Sequence, residues 1–116
     1  LSGADAYNQN AEPVEYKSTT QKSIRGSYTG ISVQPTWEKQ VAYLREEKIL
    51  KYPEHYFNRF EVGELVESWV LKGSQVYDIL HPKLEKKYPN VLKLKDPRLA
   101  ANVTKSEIYK FGKKVI

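Results

Sequence analysis

Apolar positions along the chain change their spacing near residue 36. From Leu1 to Pro35, Gly, Ser, Thr, Asn and Gln surround isolated Tyr7, Val14, Tyr16, Ile24, Tyr28, Ile31 and Val33, with no sustained period. So little apolar surface does not offset the entropy of ordering a chain, so residues 1–35 read as an irregular arm, flexible or ordered by a partner. Ser27 to Val33 is its one segment with strand character.

Helical spacing begins at Thr36, an N-cap residue followed by Glu38 in the first turn. Trp37, Val41, Leu44 and then Lys48 or Ile49 mark one helical face, and Tyr52-Pro53 supplies the stop. Pro53 can open a second helix in which Phe57, Phe60, Leu65 and Trp69 fall near one side, provided the chain stays helical through Gly63. Gly73 reads as a stop and Ser74 as the cap of a short helix with Val76, Ile79 and Leu80 inward, ended by His81-Pro82. Lysine-rich turns then lead to Tyr88-Pro89-Asn90, and Val91 to Lys95 alternates as a short strand. Thr104 and Glu107 have capping-box spacing and predict a final short helix with Ile108 and Phe111, stopped at Gly112; a strand is the alternative there.

The fold class expected from this pattern is mainly α: a small helical domain over residues 36–116 behind an irregular N-terminal arm, with one short strand or hairpin near the C-terminus. A small α+β fold is the alternative. The chain's 116 residues suit one such unit. Two Lys-Tyr-Pro triplets, at residues 51–53 and 87–89, read as helix terminators of the same type, because three matching residues do not make a repeat.

Charge divides the chain more sharply than hydropathy does. Net charge is +5, yet residues 83–116 carry ten cations against three carboxylates, while residues 36–82 are mildly acidic and residues 1–35 balance. Lys83, Lys86, Lys87, Lys93, Lys95, Lys110, Lys113 and Lys114, interleaved with Tyr88, Tyr109 and Phe111, form the candidate contact for a polyanion or an acidic partner. Lysine outnumbers arginine nine to one in that third, which favours phosphate neutralisation over base-specific recognition. Trp37, Tyr56 and Trp69 are candidate aromatic anchors for a partner, with core packing as their competing role.

Other chemistry gets little support. Cysteine is absent, which removes disulfides, thiolate ligands and cysteine nucleophiles. His55 and His81 lack the spacing that puts two imidazoles on one helical face, so no metal site is assigned. Ser74 is explained as a cap, not as a nucleophile on a strand-turn-helix elbow. The six glycines draw neither a P-loop nor a dinucleotide fingerprint, and no cofactor is expected. Glu54, Glu61, Glu64 and Glu67 read as a solvated acidic face. Asn102-Val103-Thr104 fits a glycosylation acceptor, which matters only in a secretory setting. No apolar run is long enough to span a bilayer. The absence of methionine at position 1 fits a soluble, processed organellar or secreted chain.

Three functional expectations follow. The first is a non-catalytic accessory or adaptor protein that binds a partner protein or larger assembly through its arm and basic end. The second is a nucleic-acid-binding module, such as a ribonucleoprotein subunit, acting through residues 83–116. The third, against the general leaning away from enzymes, is a small enzyme using a His/carboxylate pair.

Overall fold

The structure, a computed structural model, describes residues 6–116, so the first five residues of the expected arm lie outside the described residues. The described part is 37% strand and 35% helix, with seven strands in two sheets and three α-helices, which makes the fold α+β and overturns the mainly helical expectation. The larger sheet has the order β1-β2-β4-β5-β7, from β1 (Ala6–Tyr7), β2 (Pro13–Thr19), β4 (Glu54–Glu61), β5 (Glu64–Lys72) and β7 (Lys113–Lys114). The β2/β4 pair is parallel and the others are antiparallel. A separate ribbon pairs β3 (Gly26–Ser32) with β6 (Arg98–Val103) in antiparallel fashion.

Much of the expected arm is therefore sheet. Val14, Tyr28 and Ile31 are buried, and their backbone groups find partners in β4 and β6, far along the chain. A strand gains its stability from neighbours brought in by tertiary structure, so an apolar-poor segment that looks unable to order itself is ordered by pairing.

The second expected helix is a β-hairpin. Phe57, Phe60, Leu65 and Trp69 satisfy a helical spacing, but His55 and Phe57 are fully buried while Glu54, Tyr56 and Asn58, which alternate with them, are not, which is the period of two of a strand. The turn is Val62-Gly63, with φ of 51° and 79°, the left-handed pair that suits a two-residue hairpin. Gly63 adopts this freely. Val62 is β-branched at positive φ and fully exposed, a strained choice where Asn or Gly is usual.

The first helix forms where the sequence predicts it. Thr36 Oγ1 accepts from the Lys39 amide at 3.2 Å, α1 spans Trp37–Tyr43, and the chain continues as a π-helical segment over Leu44–Ile49. In an α-helix residues five apart are turned roughly 140° from each other. The wider π-turn brings Leu44 and Ile49 to one side, and both are buried.

Gly73 does not stop a helix; it begins one. A Cβ there would overlap the Tyr52 carbonyl, so glycine permits the close approach of this helix start to the preceding turn. Ser74 lies inside α2 (Gly73–Val91), and the cap position is Lys72, whose amide donates to Gln75 Oε1 at 2.8 Å. The helix runs through Pro82 and Pro89. Each proline costs about 3 kcal/mol in a helix interior. Val76, Ile79, Leu80, Leu84 and Tyr88 are buried along one stripe, at roughly 1.5–3 kcal/mol each for the aliphatic members, which outweighs the two prolines.

The strand expected at Val91–Lys95 is displaced. Val91 closes α2, Leu92 and Leu94 are exposed, and the strand forms at β6, where Leu99, Ala101 and Val103 point into the core. The last helix, α3 (Lys105–Phe111), has the anticipated capping box: the Thr104 amide donates to Glu107 Oε1 at 2.8 Å and the Glu107 amide to Thr104 Oγ1 at 3.3 Å. The core joins Phe57 and Leu71 of the large sheet, Tyr28, Ile31, Leu99 and Val103 of the ribbon, and the buried stripe of α2.

Candidate functional site

Two clusters stand out. The first is a groove of ≈ 660 Å³ lined by Lys83, Lys86, Lys87, Asn90 and Val91 of α2 with Ala101, Asn102 and Thr104. Positions 83, 86, 87 and 90 share one helical face, so a single side of α2 presents three cations and a carboxamide. Lys83 Nζ donates to the Asn102 carbonyl and to Glu107 Oε1, both at 2.7 Å, and Lys87 Nζ donates to the Ala100 carbonyl at 2.5 Å. These two lysines strap α2 to β6 and hold the groove's shape.

Lys93 and Lys95 lie beyond the groove in the exposed turn after α2. Lys110 sits on α3 with its ammonium 5.2 Å from the Phe111 ring, and Lys113 and Lys114 form β7 beside Val70 and Trp69. The ten-cation third is thus divided, with Lys83, Lys86 and Lys87 together and the others elsewhere.

The three aromatic candidates are also separated. Trp37 packs against His81 and Tyr88 at centroid distances of 5.5 and 5.2 Å. Trp69 stacks on Tyr109 at 4.9 Å and its indole N–H donates to Glu67 Oε1 at 3.0 Å. Tyr56 meets Tyr16 edge-on at 5.4 Å on the sheet face that does not carry Phe57. Glu67 is not part of a solvated face: it also accepts from Arg59 Nε at 2.8 Å and from the Tyr109 hydroxyl. Burial alone would raise its pKa, but these hydrogen bonds together hold it below the usual carboxylate value. Glu54 Oε1 accepts from the Asn8 side-chain Nδ2 at 3.4 Å.

The second cluster went unseen in the sequence. In β2, Glu15 and Lys17 are in register with His55 and Phe57 of β4 and share their inward face, so a carboxylate and an ammonium two residues apart are partly buried between the two sheets. Lys17 Nζ lies 4.4 Å from the centroid of the Tyr28 ring. The Tyr28 hydroxyl is 2.7 Å from His55 Nδ1, and His55 Nε2 is 3.0 Å from the Ile49 carbonyl. A carbonyl can only accept, so Nε2 carries the proton, Nδ1 is the acceptor, and the tyrosine hydroxyl donates. Burial lowers the His55 pKa to about 4, with the charge of Lys17 adding to the effect. Burial, helped by Glu15, pushes the Tyr28 phenol well above its ordinary value. His55 is therefore a wholly buried imidazole with both ring nitrogens engaged. The signal that marks this cluster is the Glu15-Tyr16-Lys17 alternation, which acquires meaning only when residues 13–19 are a strand.

Among the described residues, no three His, Cys, Asp or Glu side chains converge as a metal cage, and no helix is long and apolar enough to cross a membrane. The sequence matches no protein-family model and no curated protein.

Proposed function

We propose that this protein acts on nucleic acid, holding the phosphate backbone in the groove between α2 and β6. The observation that carries this reading is the alignment of Lys83, Lys86 and Lys87 with Asn90, Asn102 and Thr104 in one concave surface. Ammonium groups neutralise phosphates and release counterions, and the amide and hydroxyl groups can hydrogen-bond to phosphate and sugar oxygens. Lysines in place of arginines suit backbone contact without base reading. Of the two binding expectations, adaptor and nucleic-acid module, the geometry favours the second, because residues 13–19 and 26–32 are engaged in sheets and not free to wrap a partner protein.

The test is a titration with labelled DNA and RNA at two salt concentrations, using wild type and the Lys86→Gln/Lys87→Gln variant. Affinity should fall steeply with salt, and the variant should flatten the log–log slope by about 1 to 2. An unchanged slope in the variant would remove the groove from the account.

The partly buried Glu15 and Lys17, which lie outside the groove, carry a second reading, hydrolysis of a phosphodiester. A magnesium-class cation is commonly held by one or two carboxylates, waters and the substrate's own phosphate oxygens. Glu15, whose Oε1 also accepts from the Tyr16 backbone amide at 3.2 Å, supplies such a carboxylate, and the ammonium of Lys17, two residues on along the same strand face, offsets charge growing on the phosphate oxygens. In the reaction a water oxygen bonds to phosphorus, the phosphorus–oxygen bond to one sugar breaks, and the proton released by the water is balanced by one taken up at the leaving oxygen. Incubation of DNA or RNA with Mg²⁺ should give cleavage that Glu15→Gln and Lys17→Met each reduce at least 100-fold, in the range of lost charge stabilisation. Cleavage that survives both substitutions would refute this assignment.

A further inference from the structure

We infer that Tyr28 is a positioning residue for Lys17, holding the ammonium over its ring face while His55 anchors the tyrosine hydroxyl; as a statement about hydrolysis this rests on the Glu15/Lys17 reading above. β2 and β3 belong to different sheets, so no backbone ladder fixes Lys17 relative to the ribbon. What spans the gap is a chain of side chains. The Ile49 carbonyl, presented by the π-helical segment, accepts from His55 Nε2; His55 Nδ1 accepts from the Tyr28 hydroxyl; and the Tyr28 ring lies 4.4 Å from Lys17 Nζ.

Each link restricts the next. Nε2 has its donor role fixed by the carbonyl, which fixes the imidazole tautomer and leaves Nδ1 as a single acceptor. Tyr28 and His55 are buried, at 5% and 0% exposure, and their hydrogen bond in a dry setting orients the phenol ring. A lysine side chain carries large rotamer freedom, and an oriented ring face attracts its cation electrostatically. The ring also leaves the ammonium protons directed at other acceptors, because the attraction is to the π face and consumes no hydrogen bond. Lys17 is thereby confined over the Tyr28 ring, on the strand face it shares with Glu15, while its donors stay available to a phosphate.

The experiment compares wild type with Tyr28→Phe and Tyr28→Leu, with Leu84→Ala as a destabilised control in α2, distant in sequence from the cluster. The direct readout is the ring-current shift of the Lys17 Cε protons by NMR, which needs neither substrate nor metal. An upfield shift in wild type that persists in Tyr28→Phe and vanishes in Tyr28→Leu is expected. In the Mg²⁺-dependent cleavage assay, Tyr28→Leu should lower kcat roughly five- to thirty-fold with KM little changed, and Tyr28→Phe should restore part of the loss. Lys17 protons without a ring-current shift in wild type would overturn the inference. So would a Tyr28→Leu enzyme no slower than Leu84→Ala under folded conditions. If cleavage is absent altogether, the hydrolysis reading falls while the NMR comparison still decides the positioning claim.

Discussion

Lys17 and Lys86 are the same side chain in opposite settings. Lys17 lies on the inward face of a strand, partly buried, over an aromatic ring whose hydroxyl is anchored to an enclosed histidine. Lys86 stands on the exposed face of α2, within a groove whose walls are held together by its neighbours Lys83 and Lys87. The contrast separates two tasks for a cation. On the proposed reading, a charge needed in one place at the moment of reaction is built into packing, whereas a charge meant to meet a flexible polyanion is left in solvent, where it is exchangeable and screened by salt.

The comparison breaks most visibly through stability. Phe57 is fully buried beneath the inner cluster, so Phe57→Ala should cost about 3–5 kcal/mol in urea denaturation. Lys86→Gln/Lys87→Gln should stay within roughly 0.5–1 kcal/mol of wild type by the same measurement. Comparable losses in the two variants would erase the distinction between built-in and exposed regions.

Acid should act on the inner region first. His55 has a folded-state pKa of about 4 against 6.5 for a free imidazole, so the unfolded chain takes up its proton first as pH falls. Its contribution is intact above pH 6.5 and disappears progressively down to about pH 4, a loss approaching roughly 3 kcal/mol. Urea midpoints recorded from pH 7.5 to 4 should show this decline, and His55→Gln should flatten it. A decline equally steep in His55→Gln would assign the acid sensitivity to other groups.

Gly26 sharpens the packing side of the contrast. A Cβ at this position would overlap the Phe57 ring, and Gly26→Ala should therefore destabilise by about 1–3 kcal/mol through forced repacking. The smallest effect distinguishes lysines within the groove. Lys83→Ala removes bonds to Asn102 and Glu107 and should cost roughly 0.5–1 kcal/mol, whereas Lys86→Ala should alter salt-dependent binding with little change in the urea midpoint.

Features that depend on a few adjacent residues were legible in the sequence. Thr36 as a cap, the Thr104/Glu107 box and the Gly112 stop all occupy their expected roles. Features settled by distant partners were not. The β4/β5 hairpin hid behind helical spacing at Phe57, Phe60, Leu65 and Trp69, and its turn uses Val62 where a relaxed Asn would have announced it. Pro82 looked like a terminator, yet the buried stripe continues past it to Leu84 and Tyr88. β2 is ordered by β4 some forty residues later, and with β2 unread the Glu15 and Lys17 pair stayed invisible.

The division of labour between the two lysine settings is tested most directly by one set of fluorescence anisotropy titrations of a labelled oligonucleotide, at about 50 and 200 mM salt, on wild type, Lys17→Met and Lys86→Gln/Lys87→Gln. The account predicts that Lys17→Met keeps nearly the wild-type affinity and salt slope while the double variant loses affinity at low salt and has a shallower slope. Equal affinity for wild type and the double variant at both salts, or a larger loss in Lys17→Met than in the double variant, would contradict it.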